Sequence, residues 1–234
     1  MLEQHNRKRF IHALSAAFPH TLPVLAGFLV LGIAYGMLML DKGYGPEWSV
    51  LMSAVAFCGS MQFVAITLLT TAFQPLEALI LSILVNARHL FYGLSMLDKY
   101  KGFGKVKAFL IYTLCDETFS IVSSVNPPEG VEPKYFYLGI SLLDYLYWVS
   151  GTLIGGLIGS WMPFDMKGLD FALTALFVVL FIEQMKKREN WLLGLIGIAC
   201  ALISRFVFGA DNMVLPALGI ILVTLLAGRK KLCN

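Results

Sequence analysis

Residues 76–97 read LEALILSILVNARHLFYGLSML, a run apolar enough to cross a bilayer that nonetheless carries Asn86, Arg88 and His89 near its middle. A membrane span needs about 20 apolar residues. An arginine at its centre costs about 2.5–3.5 kcal/mol on insertion scales, so it is usually paired and faces protein or water. The stretch therefore predicts a membrane protein with a polar pathway inside it. Composition agrees: 58% of the residues are hydrophobic and 14% charged, with a mean hydropathy of +0.74, against roughly 25% charged in a soluble domain. The net charge of +3 comes from basic residues gathered at loops and ends. That is a topology signal and gives no reason to expect nucleic acid as a partner. Cys58, Cys115, Cys200 and Cys233 are scattered without CxxC or Cys/His spacing, so no disulfide framework, metal site or cofactor is expected.

Outward from this run, Gly, Pro and charged loops divide the chain into apolar segments at about 21–40, 48–72, 76–97, 108–124, 135–160, 169–184, 191–208 and 213–228. Lipid cannot satisfy an exposed backbone, and the alternation of a barrel strand is absent, so all should be helices. The first is too long for a signal-peptide core and reads as a retained span. The expectation is an all-α membrane protein: a polytopic helical bundle of seven or eight transmembrane segments, forming one transmembrane domain over 1–234. LGIAYG at 31–36 is echoed by GGLIGS at 155–160, and ARHLFYG at 87–93 by SRFVFG at 204–209. These echoes predict an internal duplication relating 20–97 to 145–210, of a kind common in transporters.

Basic clusters at Arg7–Arg9, Lys186–Arg188 and Arg229–Lys231 place the N-terminus in the cytoplasm if all eight segments cross. A fourth cluster, Lys99, Lys101, Lys105 and Lys107, then falls outside and breaks the rule. A re-entrant hairpin at 48–72 would bring it back, but would flip the later clusters unless another segment also failed to cross.

Four polar constellations stand out. On an unbroken third helix Ser82, Asn86, His89 and Gly93 form one stripe, with Arg88 about 160° around from Asn86. A regular helix cannot aim both at one ligand. Either the helix breaks, or Asn86 and His89 face a cavity while Arg88 pairs elsewhere; helix–helix hydrogen bonding is the plainer role for Asn86 and His89. Asp116 and Glu117 in TLCDETFSI supply a counter-charge for Arg88 and two carboxylates in unlike settings, as a proton relay requires, or else they cap a helix. Asp144 is a third acidic candidate, on a face shared with Trp148, Gly151 and Gly155; Glu183, beside Lys186 and Lys187, reads as interfacial. Cys58-Gly59-Ser60-Met61-Gln62 interrupts the second segment. It predicts a broken second helix whose unwound backbone binds a carboxylate, with a tight Gly59/Ser60 helix crossing as the alternative.

Together Gly59-Ser60-Met61-Gln62-Phe63, Leu84-Val85-Asn86-Ala87-Arg88-His89-Leu90-Phe91-Tyr92-Gly93 and Asp116-Glu117-Thr118-Phe119 resemble the AzlC family, the large subunit of branched-chain amino acid exporters, over about residues 15–210. Cys115 stands where the family pattern has threonine, and Met61 where a small or polar residue is usual. The resemblance implies export of hydrophobic amino acids across the cytoplasmic membrane, driven by the proton gradient, with a small hydrophobic AzlD-type membrane subunit as partner. The residue types fit a zwitterion: Arg88 or the Gly59 break for its carboxylate, Asn86 with Asp116 or Glu117 for its ammonium. Gly59, Ser60, Gln62, Asn86 and Arg88 are thus the expected substrate residues, and His89, Asp116, Glu117 and Asp144 the expected proton carriers. Two readings compete: an intramembrane enzyme using Ser60, His89 and Asp116, and a passive channel or scaffold subunit.

Overall fold

The computed structural model describes residues 2–71, 74–161, 178, 181–182, 185–186 and 188–232; most of the sixth expected segment, including Glu183, lies outside the described residues, as does Lys187. The chain forms two compact units, Met1–Asp170 and Phe171–Asn234. Among the described residues all regular structure is helical, as expected of backbone that lipid cannot hydrogen-bond.

The first unit contains α1 (Leu2–Asp41), α2 (Pro46–Ala56), α3 (Gly59–Thr70), α4 (Pro75–Ser95), α5 (Val106–Tyr112), α6 (Asp116–Ser124) and α7 (Pro133–Trp161). Proline opens α2, α4 and α7, where its missing N–H costs no helical bond. By length and composition α1, α4 and α7 can each cross a membrane. The long helices α1 and α7 lie side by side and run parallel: Gly139 faces Leu14 and Ala17, Gly151 faces Phe28 and Leu29, and Gly159 faces Met37 and Leu40. Small residues four apart on both helices, Gly32/Gly36 and Gly151/Gly155, permit the close approach. A methyl group at Gly155 would land on the Ile33 carbonyl, and one at Gly36 on the Thr152 carbonyl.

Two segments expected to cross fold back instead. Helix α2 starts with Pro46 against Gly156 and runs along α7 until Phe57 packs on Tyr145. After the turn, α3 climbs back past Trp148 and Tyr35 until the Leu69 carbonyl accepts the Tyr44 hydroxyl, beside the start of α2. Helices α5 and α6 make the same reversal from the opposite end. α5 rises until the Tyr112 hydroxyl donates to the Ala54 carbonyl, and α6 descends until the Val122 carbonyl accepts the Lys99 amino group. These pieces are 11, 12, 7 and 9 residues long. At about 1.5 Å per residue each reaches only part-way through a hydrocarbon layer about 30 Å thick. Hydropathy counts apolar residues without recording their direction, so two half-length helices read as one span.

The reversals also move the lysine loop. Arg9 pairs with Glu132 at 3.0 Å, and Phe10 meets Tyr135, so the start of α1 adjoins the start of α7. Tyr100 and Phe103 from the loop after α4 pack on Tyr137 at that same end. Arg7–Arg9 and the Lys99–Lys107 cluster therefore share one face, and the conflict with the charge rule disappears. A core of Ala13, Ala17, Tyr100, Leu110, Phe136 and Ile140 fills this end.

In the second unit a 3₁₀ turn (Arg188–Asn190) leads into α8 (Trp191–Asn212) and α9 (Val214–Leu232), which pack together. The Trp191 indole donates to the Met185 carbonyl at 2.7 Å. Gly209, with φ +77°, interrupts α8. Ser204 is buried and Arg205 exposed.

Candidate functional site

The tips of the two hairpins meet beside the middle of α4. Cys58 occupies the N-cap position of α3 and Cys115 that of α6, so each returning helix begins at its tip and aims its positive end there. Phe57 and Cys58 are the residues that leave helical geometry, Phe57 with φ +25°. The expectation gave that role to Gly59. Gly59 is instead the first residue of α3, and a Cβ there would come within 3.0 Å of the Trp148 ring. Asp116 and Glu117 lie in the first turn of α6, not within one continuous span, and take the helix-capping place that was the alternative to a mid-span pair; a carboxylate there offsets the helix dipole.

Helix α4 is continuous from Pro75 to Ser95, yet Asn86 and Arg88 both reach the first tip. The Cys58 thiol donates to Asn86 Oδ1 at 2.7 Å, and Arg88 Nη2 donates to Ser60 Oγ at 2.7 Å. The long arginine stem spans an angle that backbone direction alone would forbid. Arg88 Nη1 also pairs with Asp116 Oδ2 at 2.6 Å. One guanidinium thus bridges the first turns of two half-helices that enter from opposite ends. The pair is only partly buried, at 35% and 24% side-chain exposure, and Arg88 Nε has no hydrogen-bond partner. Two helix N-termini and an arginine meet the carboxylates of Asp116 and Glu117 there, so opposite charges stand side by side, as recognition of a zwitterion requires.

His89 lies one residue beyond Arg88, its ring edge-on to Tyr92 at 5.9 Å, and Tyr92 stacks on Phe119 of α6 at 4.4 Å. Among the described residues no hydrogen bond joins His89 to Ser60. Ser60 accepts from a guanidinium, which cannot serve as a base for a nucleophile.

Gln62 belongs to a second, uncharged network. Its amide donates to Ser53 Oγ at 2.8 Å and accepts from the Trp148 indole at 2.8 Å; Ser53 Oγ in turn lies 2.8 Å from Thr152 Oγ1. Tyr35 stacks on Trp148. Asp144 does not reach Arg88: its Oδ2 accepts from Thr118 Oγ1 at 2.8 Å, and Cys115 Sγ lies 3.2 Å from the same hydroxyl. The expected face of Asp144, Trp148, Gly151 and Gly155 is buried throughout.

Ser53, Thr118, Ser141 and Thr152 are all fully buried; the sequence singled out Thr118 only within a family motif and left the other three unmarked. Two of these were within its reach. Ser141 and Thr152 extend the stripe already drawn through Asp144 and Trp148, by one turn on either side.

The family model described as AzlC protein matches residues 23–162, which holds every residue of this site. A Bacillus subtilis protein named branched-chain amino acid transport protein AzlC is 46% identical over 228 residues, covering 97% of this chain and 90% of its own. A membrane protein of Helicobacter pylori, named uncharacterized, is 41% identical over 223 residues, 95% and 98% of the two chains. The Escherichia coli inner membrane protein YgaZ is 25% identical over 177 residues, 73% and 72% of the two. No solved structure matches the chain. With the family model spanning the whole site and a relative this similar along nearly its full length, the chain belongs to the AzlC family of membrane transport proteins.

Proposed function

We propose that this transporter exports branched-chain or similar hydrophobic amino acids across the cytoplasmic membrane, driven by the proton gradient, with its N-terminus in the cytoplasm and a small hydrophobic AzlD-type subunit as partner. The observation that carries the reading is Arg88 bridging Ser60 and Asp116 where the two hairpin tips meet. Discontinuous helices whose N-termini converge in this way bind substrate carboxylates in other carriers. The amino-acid carboxylate docks between Arg88 and the first backbone N–H groups of α3. Asn86 Oδ1 and the Asp116 carboxylate accept from its ammonium, and the surrounding apolar surface takes the side chain. Because the hairpins enter from opposite ends, loosening one while the other stays closed opens the site to one side only, as alternating access requires. The sharing of one face by Arg7–Arg9 and the Lys99–Lys107 cluster supports the cytoplasmic N-terminus. The Bacillus subtilis relative's name supports the substrate class.

The test is efflux of leucine, valine, isoleucine and methionine from cells expressing the chain with and without the small partner, at two external pH values. Efflux of the branched-chain amino acids that needs both proteins and quickens with the inward proton gradient is the expected result. No difference from cells lacking the chain would refute the reading.

A further inference from the structure

We infer that Asp144, Ser141 and Thr118 form a binding site for a small monovalent cation, a proton or sodium, that is separate from the Arg88 site and drives transport. The coupling role rests on the chain being a gradient-driven carrier; the site itself does not.

Asp144 sits about two-fifths of the way along α7 and is 0% exposed. Its Oδ2 accepts one hydrogen bond from Thr118, and its Oδ1 has no partner. One turn earlier on the same helix face, Ser141 is also 0% exposed, with its hydroxyl oxygen unpartnered. Among the described residues no lysine, arginine or histidine forms an ion pair with Asp144; the arginine of this region is committed to Asp116. The ionisable groups acting on Asp144 are Glu117 on α6, a like charge, and the Cys115 thiol. Of the other elements packed on α7, α1 carries no ionisable side chain between His20, whose ring meets Phe136, and Tyr35; α2 carries none after Glu47; and on α5 Lys107 and Tyr112 bond to the Leu97 and Ala54 carbonyls. An ionised carboxylate enclosed in this way, facing a second acid and no cation, cannot be held by one hydroxyl. The missing partner is positive and small: a proton on Oδ1, or a sodium ion shared by carboxylate and hydroxyl oxygens, the hard donors such an ion takes. Occupancy is read by the second hairpin, because the Thr118–Asp144 bond ties α6 to α7.

The arms of the experiment separate the two cations. Membranes carrying the full chain are treated with dicyclohexylcarbodiimide, which attacks protonated buried carboxyls, and the peptides are mapped by mass spectrometry. Modification of Asp144 that falls at least about tenfold between about pH 6 and about pH 9, more steeply than at exposed Glu129, identifies a proton site. Protection by NaCl at constant pH, with KCl inert, identifies sodium; the cation site then stands and the proton drive proposed above falls. Labelling indifferent to both, or confined to Asp116 and Glu117, overturns the inference. In leucine transport, Asp144→Asn loses gradient-driven accumulation by at least about tenfold yet keeps leucine-for-leucine exchange within about twofold; equal loss of both, with folded protein present, also overturns it. Ser141→Ala, which leaves the charge in place, weakens cation protection without abolishing exchange. If the wild type moves no leucine while Asp144 labelling responds as stated, the cation site stands and the amino-acid reading falls.

Discussion

The Gln62 network and the Arg88 network both start from the α2–α3 hairpin, yet they differ in charge, burial and completeness. In the first, Ser53, Gln62 and Thr152 are fully buried and linked in series to the Trp148 indole, with no formal charge anywhere. In the second, Arg88 and Asp116 are partly exposed, and one guanidinium nitrogen is unpartnered. A closed, neutral network fixes helices against each other and has nothing to offer a ligand. An open, charged one has a spare donor and opposite charges within reach of a ligand, which is what a binding site needs. The same hairpin carries both because its residues alternate in duty: Ser60 faces α4, while Gln62, two residues on, faces α7.

The sharpest way to break this comparison is Arg88→Ala. Loss of a charge-assisted contact to the substrate carboxylate is worth about 3 kcal/mol, or about a hundredfold in leucine efflux. Asp116 is then left without its cation, so abundance also falls. The double variant Arg88→Ala with Asp116→Ala restores protein level in the membrane, measured by immunoblot, but not transport. Full transport by the double variant would move the binding role elsewhere.

Next in size is Ser53→Ala. It strips one partner each from Gln62 and Thr152, both buried, at a cost of about 2 kcal/mol in stability. A lower melting temperature in detergent is expected, with efflux per folded molecule unchanged within about twofold. Ser60→Ala makes the opposite trade. It removes one acceptor from an arginine that keeps Asp116, at a cost of about 1 kcal/mol, seen as a roughly fivefold loss of efflux with melting little changed. If the two serines, seven residues apart on one hairpin, gave the same split between melting and efflux, the two networks would not be distinct.

Much of this was legible in sequence. Arg88 announced itself because a cation inside an apolar run has no bland explanation, and Asp116 followed as the acid at comparable depth. The break before Gly59 was legible because small polar residues interrupt an otherwise apolar run. Direction was only half legible. The lysine cluster at 99–107 pointed to a re-entrant hairpin at 48–72, but hydropathy is the same whether a broken helix continues or turns back, and nothing in the sequence marked the second reversal at 108–124, which contacts such as Tyr112 with Ala54 record. The role of Gln62 was hidden for a related reason. Period and spacing put it near Ser60, but which neighbour it serves depends on Trp148, 86 positions away.

The smallest effect is expected at the exposed ion pair between Arg9 and Glu132. Arg9 and Glu132 stand 3.0 Å apart, as close as many functional pairs, but with 50% and 31% side-chain exposure at the end of α1. Water and salt screen them there, and each long side chain gives up rotamer freedom to hold the contact, so such a pair contributes about 0–1 kcal/mol. Arg9→Gln should therefore leave efflux unchanged and move the melting temperature only slightly, with that small shift vanishing at high salt. Arg88 and Asp116 differ from this pair less in geometry than in surroundings: they lie where two hairpin tips and two helix N-termini converge, and where the proposed substrate can join them. A large loss of efflux from Arg9→Gln would mean that surroundings do not set the value of an ion pair in this protein, and the contrast between Arg9 and Arg88 would have to be drawn from distance alone.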